Sequence, residues 1–209
     1  MYEAFPDRQF VLYDEKTDEV LAEGHTIPCY WDGTDSGLAA GIDATIAEAF
    51  ALKTAGAVTN TLCALAAEIV PHQQQRGLSS AVLRAMSELA RSAGLKSLIA
   101  PVRPSLKERY PLVPIERYVS WKGSDGQPFD PWMRTHVRLG GRIATPIPKS
   151  LLIRGTVAEW ESWTDMAYPE SGHYVFPRGL TTLHVDREAD LGTYWEPNVW
   201  IVHGPLQER

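Results

Sequence analysis

The segment that spans residues 61–102 constrains the fold of this chain more than any other part of its sequence. Residues 61–70 are almost continuously apolar, which predicts a strand covered on both faces of a sheet. Residues 95–102 predict a second buried strand for the same reason. The residues between them predict a helix that Ser79 or Ser80 could cap. Its apolar residues recur at helical spacing: Val82, Leu83, Met86, Leu89 and Ala90.

The segments before this unit predict a hairpin and a short helix. Residues 10–13 and 20–27 are apolar-rich runs on either side of a polar turn, which is typical of a β-hairpin. Asp43 is a candidate N-cap for the short helix, and Gly56 is a residue at which that helix can end.

The segments after this unit predict two helix starts and three strands. Asp130 suits the N-cap of a helix and Pro131 suits its first position. Thr156 and Glu159 have the spacing of a capping box, in which each side chain binds the backbone of the other. Short strands are predicted near residues 174–176, 182–185 and 199–202.

Composition and charge exclude several classes of protein. The net charge of -6 and the absence of a basic run argue against nucleic-acid binding, which depends on clustered Lys and Arg. The sequence has no export signal at its start, and no apolar run approaches the ~20 residues that span a bilayer. Cys29 and Cys63 lack metal-finger spacing and are read as reduced core residues. A cytoplasmic protein without a membrane partner is expected.

The polar turn between the first strand and the helix has a pattern that suits an anion. Its residues fit [Q/R]-x-x-G-x-[G/A] with serine in the last place: Gln74, Gln75, Arg76, Gly77, Leu78 and Ser79. Backbone N–H groups at a helix N-terminus have no intrahelical partner and meet a partial positive potential. Glycine in the turn lets the backbone approach a phosphate closely. The turn is therefore a candidate site for a diphosphate.

In this context the turn resembles the pyrophosphate-binding loop of the GNAT superfamily, the acyl-CoA-dependent N-acyltransferases. The resemblance continues to a helix end at residues 139–143, which is similar to the family's "Y-x-k-x-G-F" element, and it covers about residues 10–145. The runs Ala-Pro-Val-Arg-Pro-Ser and Asp-Pro-Trp-Met-Arg-Thr-His look like those of a GNAT subgroup with a C-terminal extension. The resemblance implies an α+β fold of three layers, α/β/α, in which helices cover both faces of a twisted mixed sheet.

The resemblance also implies a division of the chain. Residues 1–145 are expected to form the acyl-CoA-binding domain, and residues 146–209 a β-rich extension packed on its core. Family members usually have a strand and two helices before the hairpin, whereas only nine residues precede Phe10 here, so these N-terminal elements are expected to be missing. Residues 31–56 or the extension would then cover the open side, and a homodimer is expected.

The reaction that the resemblance implies is acyl transfer, most simply acetyl transfer, from CoA to an amine of a small molecule or peptide. Such a reaction needs a base that deprotonates the amine and can use an acid that protonates the thiolate. Glu68, near the end of the first buried strand, is the candidate base because a partly desolvated carboxyl there would have a raised pKa. Tyr118 is the candidate acid, and His136 is an alternative base.

Further residues are expected to contact the acyl-CoA. Ile69 and Val70 would offer backbone groups to the acyl carbonyl and to pantetheine. Ser105 stands where the family often has asparagine after the next strand, so the role of that position is carried over to it only in part.

Two other interpretations remain open. The chain could be a module that binds acyl-CoA without catalysis, which the short N-terminal segment would suit. Alternatively, the second half could hold a cupin-like metal site, although its spacing departs from the cupin motif and no metal is expected. The residues available to such a site are His173, His184, Glu196 and His203.

Overall fold

The apolar runs of the chain build one mixed sheet in the computed structural model, which describes residues 1–73 and 76–206. The described strands are β1 (Gln9–Asp14), β2 (Glu19–Cys29), β3 (Thr61–Ile69), β4 (Ser97–Val102), β5 (Arg142–Gly155), β6 (Gly172–Tyr174), β7 (Leu183–Asp186) and β8 (Leu191–His203). The described α-helices are α1 (Ile42–Ala55), α2 (Leu78–Ser92), α3 (Ile115–Tyr118), α4 (Pro131–Arg138) and α5 (Val157–Thr164).

The strands follow the order β1-β2-β3-β4-β8-β7-β6, and β5 pairs with β8 outside that path. The pair β3–β4 is parallel and the other described pairs are antiparallel. Helix α2 packs on one face, where Val82 and Met86 join Met133 of α4 in a core cluster. Helix α1 packs on the other face, where Ala49 meets Trp200 and its neighbours. The predicted α+β fold, a mixed sheet with helices on both faces, is confirmed.

The start of α2 differs from the prediction. Its N-cap is Gly77, which has a φ of 79° and no capping side chain, and neither Ser79 nor Ser80 takes that place. Ser79 and Ser80 instead lie in the first helical turn. The strands and the helix of this unit are nevertheless found as predicted, because their patterns are local and strongly periodic. A left-handed residue at the helix start favours glycine, so the loop sequence and the helix boundary fit together.

Helix α1 also begins differently from the prediction. Its N-cap is Gly41, and Asp43 lies inside the first turn. The Asp43 carboxylate accepts a hydrogen bond of 2.8 Å from the backbone N–H of Leu152 and so ties the helix to β5. Close approach explains the glycine, because a Cβ at Gly41 would lie 2.4 Å from Cα of Ser150. Residues 31–56 therefore supply the helix that covers this face of the sheet, as one of the two alternatives expected.

Strand β5 was not predicted from the sequence, and β8 is longer than the predicted strand at residues 199–202. Pro146 and Pro148 contradict a strand pattern in the sequence of β5. Among the described strands β5 pairs only with β8, so it is an edge strand, where proline is tolerated. The boundary predicted between residues 145 and 146 falls inside β5. Residues 199–202 of β8 lie between β4 and β5 and pair with both. The division into two domains stays a prediction, and it has to accommodate this shared strand.

The remaining elements form a third cluster around Trp160 of α5. The predicted capping box is present, since Thr156 and Glu159 bind each other's backbone at the start of α5. Cys29 and Cys63, which both lie in the described part of the chain, are buried free thiols. Burial raises the pKa of the Cys29 thiol to about 12. Within residues 1–73 and 76–206, no helix has the length and apolar character needed to cross a bilayer.

Candidate active site

The central feature of the sheet is a gap between the two parallel strands. Strands β3 and β4 pair in register only where Thr61–Cys63 faces Ser97–Ile99. Beyond that point β3 continues to Ile69 and β4 continues to Val102, with no further pairing between them among the described residues. Backbone N–H and C=O groups along such diverging edges need other partners. The gap therefore offers main-chain hydrogen bonds to a ligand that enters between the strands.

A cavity of about 750 Å³ occupies this gap. Its walls come from both faces of the sheet: Met86 and His136 belong to the side of α2 and α4, whereas Ile42 and Leu151 belong to the side of α1 and β5. The cavity therefore passes through the sheet from one face to the other. Its volume is within the range of about 300–1,000 Å³ that is usual for small-molecule sites.

One end of the cavity reaches the predicted diphosphate loop. Leu78 and Ser79, in the first turn of the 15-residue helix α2, lie on the cavity wall. Gly77 is exposed, and a Cβ built on it would meet no described atom within 4 Å. The exposed Arg76 donates a hydrogen bond to the side chain of Gln73. The predicted contacts Gln74 and Gln75 lie outside the described residues.

The other predicted cofactor contacts are only partly brought together. Ile69 lines the cavity, whereas the backbone N–H of Val70 donates to the carbonyl of Leu21 at 3.2 Å and Val70 is not on the cavity wall. Ser105 lines the cavity, and its hydroxyl donates to Oδ1 of Asp130 at 3.3 Å. The structure thus groups Ile69, Leu78, Ser79 and Ser105 around one cavity.

His136 is the predicted catalytic residue that the structure places in the cavity. Its side chain is buried on α4, and Trp132 packs against the ring. Its Nδ1 is 2.9 Å from Nε2 of His203, at the end of β8. Its Nε2 is buried without a hydrogen-bond partner among the described residues. Burial, and next the neighbouring His203, lowers the pKa of His136 to about 3, so its imidazole is neutral at physiological pH.

The second histidine is the hydrogen-bond partner of His136. Burial lowers the pKa of His203. Between two neutral imidazoles, one of the two facing nitrogens donates and the other accepts. When Nδ1 of His136 is the donor, its Nε2, which has no partner among the described residues, carries a free lone pair.

Glu68 lies outside the cavity, contrary to the sequence-based expectation. It is exposed, and in the antiparallel pair β2–β3 it stands opposite Glu23. The cavity wall includes its neighbours Ala67 and Ile69 but not Glu68 itself. The expected partial desolvation of this carboxyl is therefore wrong, because the residue that carries it faces solvent.

Tyr118 is also away from the cavity. Its side chain is buried, and its hydroxyl donates a hydrogen bond of 2.9 Å to Oδ2 of Asp130. Oδ1 of the same carboxylate caps α4 by accepting from the backbone N–H groups of Trp132 and Met133. Burial, and next the charge of Asp130, raises the pKa of Tyr118. The acid role predicted for Tyr118 is corrected to a structural one, since its proton is held by Asp130 in the core.

The cavity wall contains a polar residue that was not predicted from the sequence. Asn198 on β8 is fully buried on the cavity wall, and neither its Nδ2 nor its Oδ1 has a partner among the described residues. Glu196 also lines the cavity, and its Oε2 accepts a hydrogen bond of 3.0 Å from Nε of Arg103. The one available signal was an asparagine directly before the apolar run that starts at Val199.

The candidate metal ligands do not converge. His173 and His184 are exposed neighbours across β6 and β7, Glu196 binds Arg103, and His203 binds His136. In the part of the chain that the structure describes, no group of three or more His, Cys, Asp or Glu side chains is arranged to hold a metal ion. The cupin-like alternative therefore has no geometry to support it in these residues.

Among known proteins, one relative in sequence and two solved structures of similar fold are informative. No family model matches the chain. The chain is 31% identical to arginine N-acetyltransferase avaD of Aspergillus versicolor over 210 residues, which cover 91% of this chain and 72% of that protein.

The two structures share the fold at low identity. The loading GNATL domain of CurA from Lyngbya majuscula has a TM-score of 0.54 at 16% identity, over 96% of this chain and 77% of that one. The GNAT-like decarboxylase GphF, in complex with isobutyryl-CoA, has a TM-score of 0.57 at 18% identity, over 98% and 81%. The sequence relative is an acetyltransferase, and the split sheet with a helix N-terminus at its cavity agrees with that relationship. The chain therefore belongs to the GNAT superfamily of N-acetyltransferases.

Proposed function

We propose that the protein transfers an acyl group, most simply acetyl, from acyl-CoA to the amine of a small molecule. The observation that carries this proposal is a single cavity that joins the N-terminus of α2 to the buried, neutral imidazole of His136 through the gap in the sheet. An anion site and a base on one cavity are the two groups that acyl transfer from CoA to an amine requires.

The cavity suggests how the two substrates are arranged. The CoA diphosphate binds the N–H groups at the start of α2, near Gly77 and Ser79, and pantetheine follows the free edge of β3 toward the gap. The acceptor amine approaches from the face of α1, where Leu151 and Asn198 line the cavity. A reaction inside the gap then separates the nucleophile from bulk water, which limits hydrolysis of the thioester.

The chemistry uses the lone pair at Nε2 of His136. The amine nitrogen attacks the thioester carbonyl, and His136 removes a proton from that nitrogen. The C–S bond then breaks, the sulfur leaves as the CoA thiolate and takes up a proton, and an amide remains. His136 thus replaces Glu68 as the proposed base, and no acid role falls to Tyr118.

The relative indicates which acceptors to test first. It is named an arginine N-acetyltransferase, so we propose a small cationic amine, with arginine as the leading candidate. The net charge of -6 favours the approach of a cation. A homodimer and a cytoplasmic location, both expected from the sequence, stay predictions.

Binding and turnover measurements separate the proposed enzyme from a module that only binds acyl-CoA. We expect calorimetry to show saturable binding of acetyl-CoA and CoA, and thiol release from acetyl-CoA in the presence of arginine or related amines. Binding without thiol release across a broad panel of amines would favour the non-catalytic alternative. Failure to bind either CoA species would contradict the proposal as a whole.

An Asn198→Leu variant should gain stability while it loses affinity for the acceptor. A buried amide without partners costs about 1–3 kcal/mol, and leucine has nearly the same size without that cost. We therefore expect the free energy of unfolding to rise by about 1 kcal/mol and Tm by roughly 2–4 °C. Loss of the amide should raise the KM for the acceptor about tenfold or more and leave the Kd for CoA unchanged.

The matched control is Asn60→Leu, since the Asn60 side chain bonds both the N–H and the C=O of Trp31. That variant leaves backbone groups without partners and should have a lower Tm. If Asn198→Leu is destabilised like Asn60→Leu and keeps the wild-type KM for the acceptor, Asn198 is a structural residue and its proposed role is wrong.

A further inference from the structure

The wall of the cavity in the sheet carries one carboxylate among the described residues, that of Glu196 on β8. Glu196, Asn198 and Trp200 are two positions apart on this strand, so their side chains point to the same face of the sheet. Trp200 packs in the core cluster that includes Ala49 of α1, and the face of α1 is the side proposed for the acceptor. The acceptor therefore meets a negative charge on the wall of its own site.

The Glu196 carboxylate is held through one of its two oxygens. Its Oε2 accepts hydrogen bonds from Nε of Arg103 at 3.0 Å and from the hydroxyl of Tyr194 at 3.4 Å. Its Oε1 has no hydrogen-bond partner among the described residues. A carboxylate can accept about four hydrogen bonds, so this side chain has capacity for further donors. The group is thus oriented in advance, with one oxygen free for a ligand.

Arg103 is the other charged side chain on the described part of this wall, and the two charges are exposed unequally. The Glu196 side chain is 13% exposed, whereas that of Arg103 is 41% exposed, so water screens the arginine charge more strongly. Nη2 of Arg103 also donates a hydrogen bond of 2.6 Å to the carbonyl of Arg178. The negative charge therefore prevails inside the cavity, where a second cation would stabilise the largely desolvated carboxylate.

We propose that Glu196 binds a positively charged group of the acceptor other than the nitrogen that reacts, and so selects acceptors with two basic groups. This inference rests on the proposed function, which identifies the ligand in this part of the cavity as the acceptor. The two groups have opposite requirements. The reacting nitrogen has to lose a proton to attack the thioester, whereas an ion pair with a carboxylate keeps the proton in place.

A guanidinium is the group that suits this site. It stays protonated at physiological pH, and its several N–H donors can reach a carboxylate oxygen that is fixed in position. An ammonium group would also provide charge and donors, but as a single point with stronger hydration. A molecule with an amine at one end and a guanidinium at the other, such as arginine or agmatine, has both of the required groups.

The alternative role for Glu196 is to hold Arg103 in place without contacting the acceptor. Citrulline separates the two roles, because it has the length of arginine but a neutral ureido group in place of the guanidinium. We expect the wild-type protein, saturated with CoA, to bind arginine about 10- to 100-fold more tightly than citrulline. Glu196→Gln keeps the size of the side chain and an oxygen for Arg103, and it should bring this ratio to within a few-fold of one by weakening arginine alone. Calorimetric titration of the CoA complex measures each Kd.

Glu68→Gln is the matched control for net charge, because it removes a carboxylate that is exposed and outside the cavity. This variant should keep the wild-type ratio. An unchanged ratio in Glu196→Gln, or an equal loss of affinity for arginine and citrulline, would overturn the inference. The wild-type protein provides a test that does not depend on the folding of the variant: equal Kd values for arginine and citrulline, or binding of neither, would contradict a cation site at Glu196.

These outcomes are distinguishable from failure of the proposed function, since binding to the CoA complex requires no turnover. Thiol release from acetyl-CoA with amines of one basic group, together with equal binding of arginine and citrulline, would leave the reaction standing and show that the inference alone is wrong. Selective binding of arginine that Glu196→Gln abolishes, without thiol release from acetyl-CoA for any amine, would contradict the reaction and leave the cation site standing.

Discussion

A Gly77→Glu variant is expected to lose at least 100-fold in affinity for CoA while it keeps its fold. The substitution places a carboxylate beside the N–H groups that would bind the diphosphate, so the protein repels the ligand where it should attract it. No described atom obstructs the new side chain, although the φ of 79° at this position costs about 1 kcal/mol for a residue other than glycine. Calorimetric titration with CoA, together with Tm, measures both effects.

Two control variants isolate the effect of the charge. Gly94, at the other end of α2, also has a positive φ of 69° and open space around its Cα, so Gly94→Glu introduces the same strain and charge away from the cavity. Gly77→Asn tolerates the left-handed conformation and is neutral. Both controls should retain CoA binding within a few-fold. Equal loss in Gly77→Glu and Gly94→Glu would show that strain in α2, and not charge at its start, is responsible.

The parts of the fold that the sequence predicted are those whose signals are local. The strand, turn, helix and strand between residues 61 and 102 have unbroken apolar runs and a single helical stripe, so each segment indicates its own structure. The capping signals at Asp130 and Thr156 succeeded because each residue binds backbone groups two or three positions away. Ser79 failed as a cap because a glycine in a left-handed conformation already starts α2.

The parts that the sequence did not predict depend on distant pairing. Strand β5 was missed because its prolines contradict a strand pattern, and only its position at an edge of β8 makes them harmless. Strand β8 lies partly between β4, about 100 residues earlier in the sequence, and β5, about 50 residues earlier. The periodicity of a single segment does not indicate which distant segments it pairs with.

Prediction of the candidate site from the sequence was limited for the same reason. Tyr118 was a reasonable acid until the fold placed Asp130 against its hydroxyl, 12 residues away in sequence. His136 could be named from its helix, but its hydrogen-bond partner His203 lies 67 residues further on. Asn198 is a polar residue beside an apolar strand, and only the gap between β3 and β4 explains why its amide lies buried without a partner among the described residues.

Substitution of His136 should lower kcat more than substitution of Glu68, which is the reverse of the order expected from the sequence. We expect His136→Gln to lose about 10²–10⁴-fold in kcat, which is the usual contribution of a general base, with little change in the Kd for CoA. Glu68→Gln should keep nearly full turnover, because that carboxylate is exposed and off the cavity wall. Glu68→Gln is a matched control, because it removes the other candidate base, which lies on a strand of the sheet but outside the cavity. Full activity of His136→Gln with loss of activity in Glu68→Gln would restore the original assignment.

The pH dependence of kcat/KM provides an independent test of the same assignment. A base whose pKa is lowered from 6.5 to about 3 is already deprotonated throughout the range from pH 5 to pH 9. The profile should therefore have no inflection near pH 6.5, and the rate should rise with pH only as the ammonium ion of the acceptor becomes the free amine. The free energy of unfolding should also decrease as the pH falls. Between about pH 6.5 and pH 3 the unfolded chain binds a proton at His136 and the folded chain does not, so stability falls from pH 6.5 toward pH 3. An inflection near pH 6.5 in the wild type that disappears in His136→Gln would mean that His136 is solvated in the working enzyme, and that the buried pair with His203 is not its catalytic state.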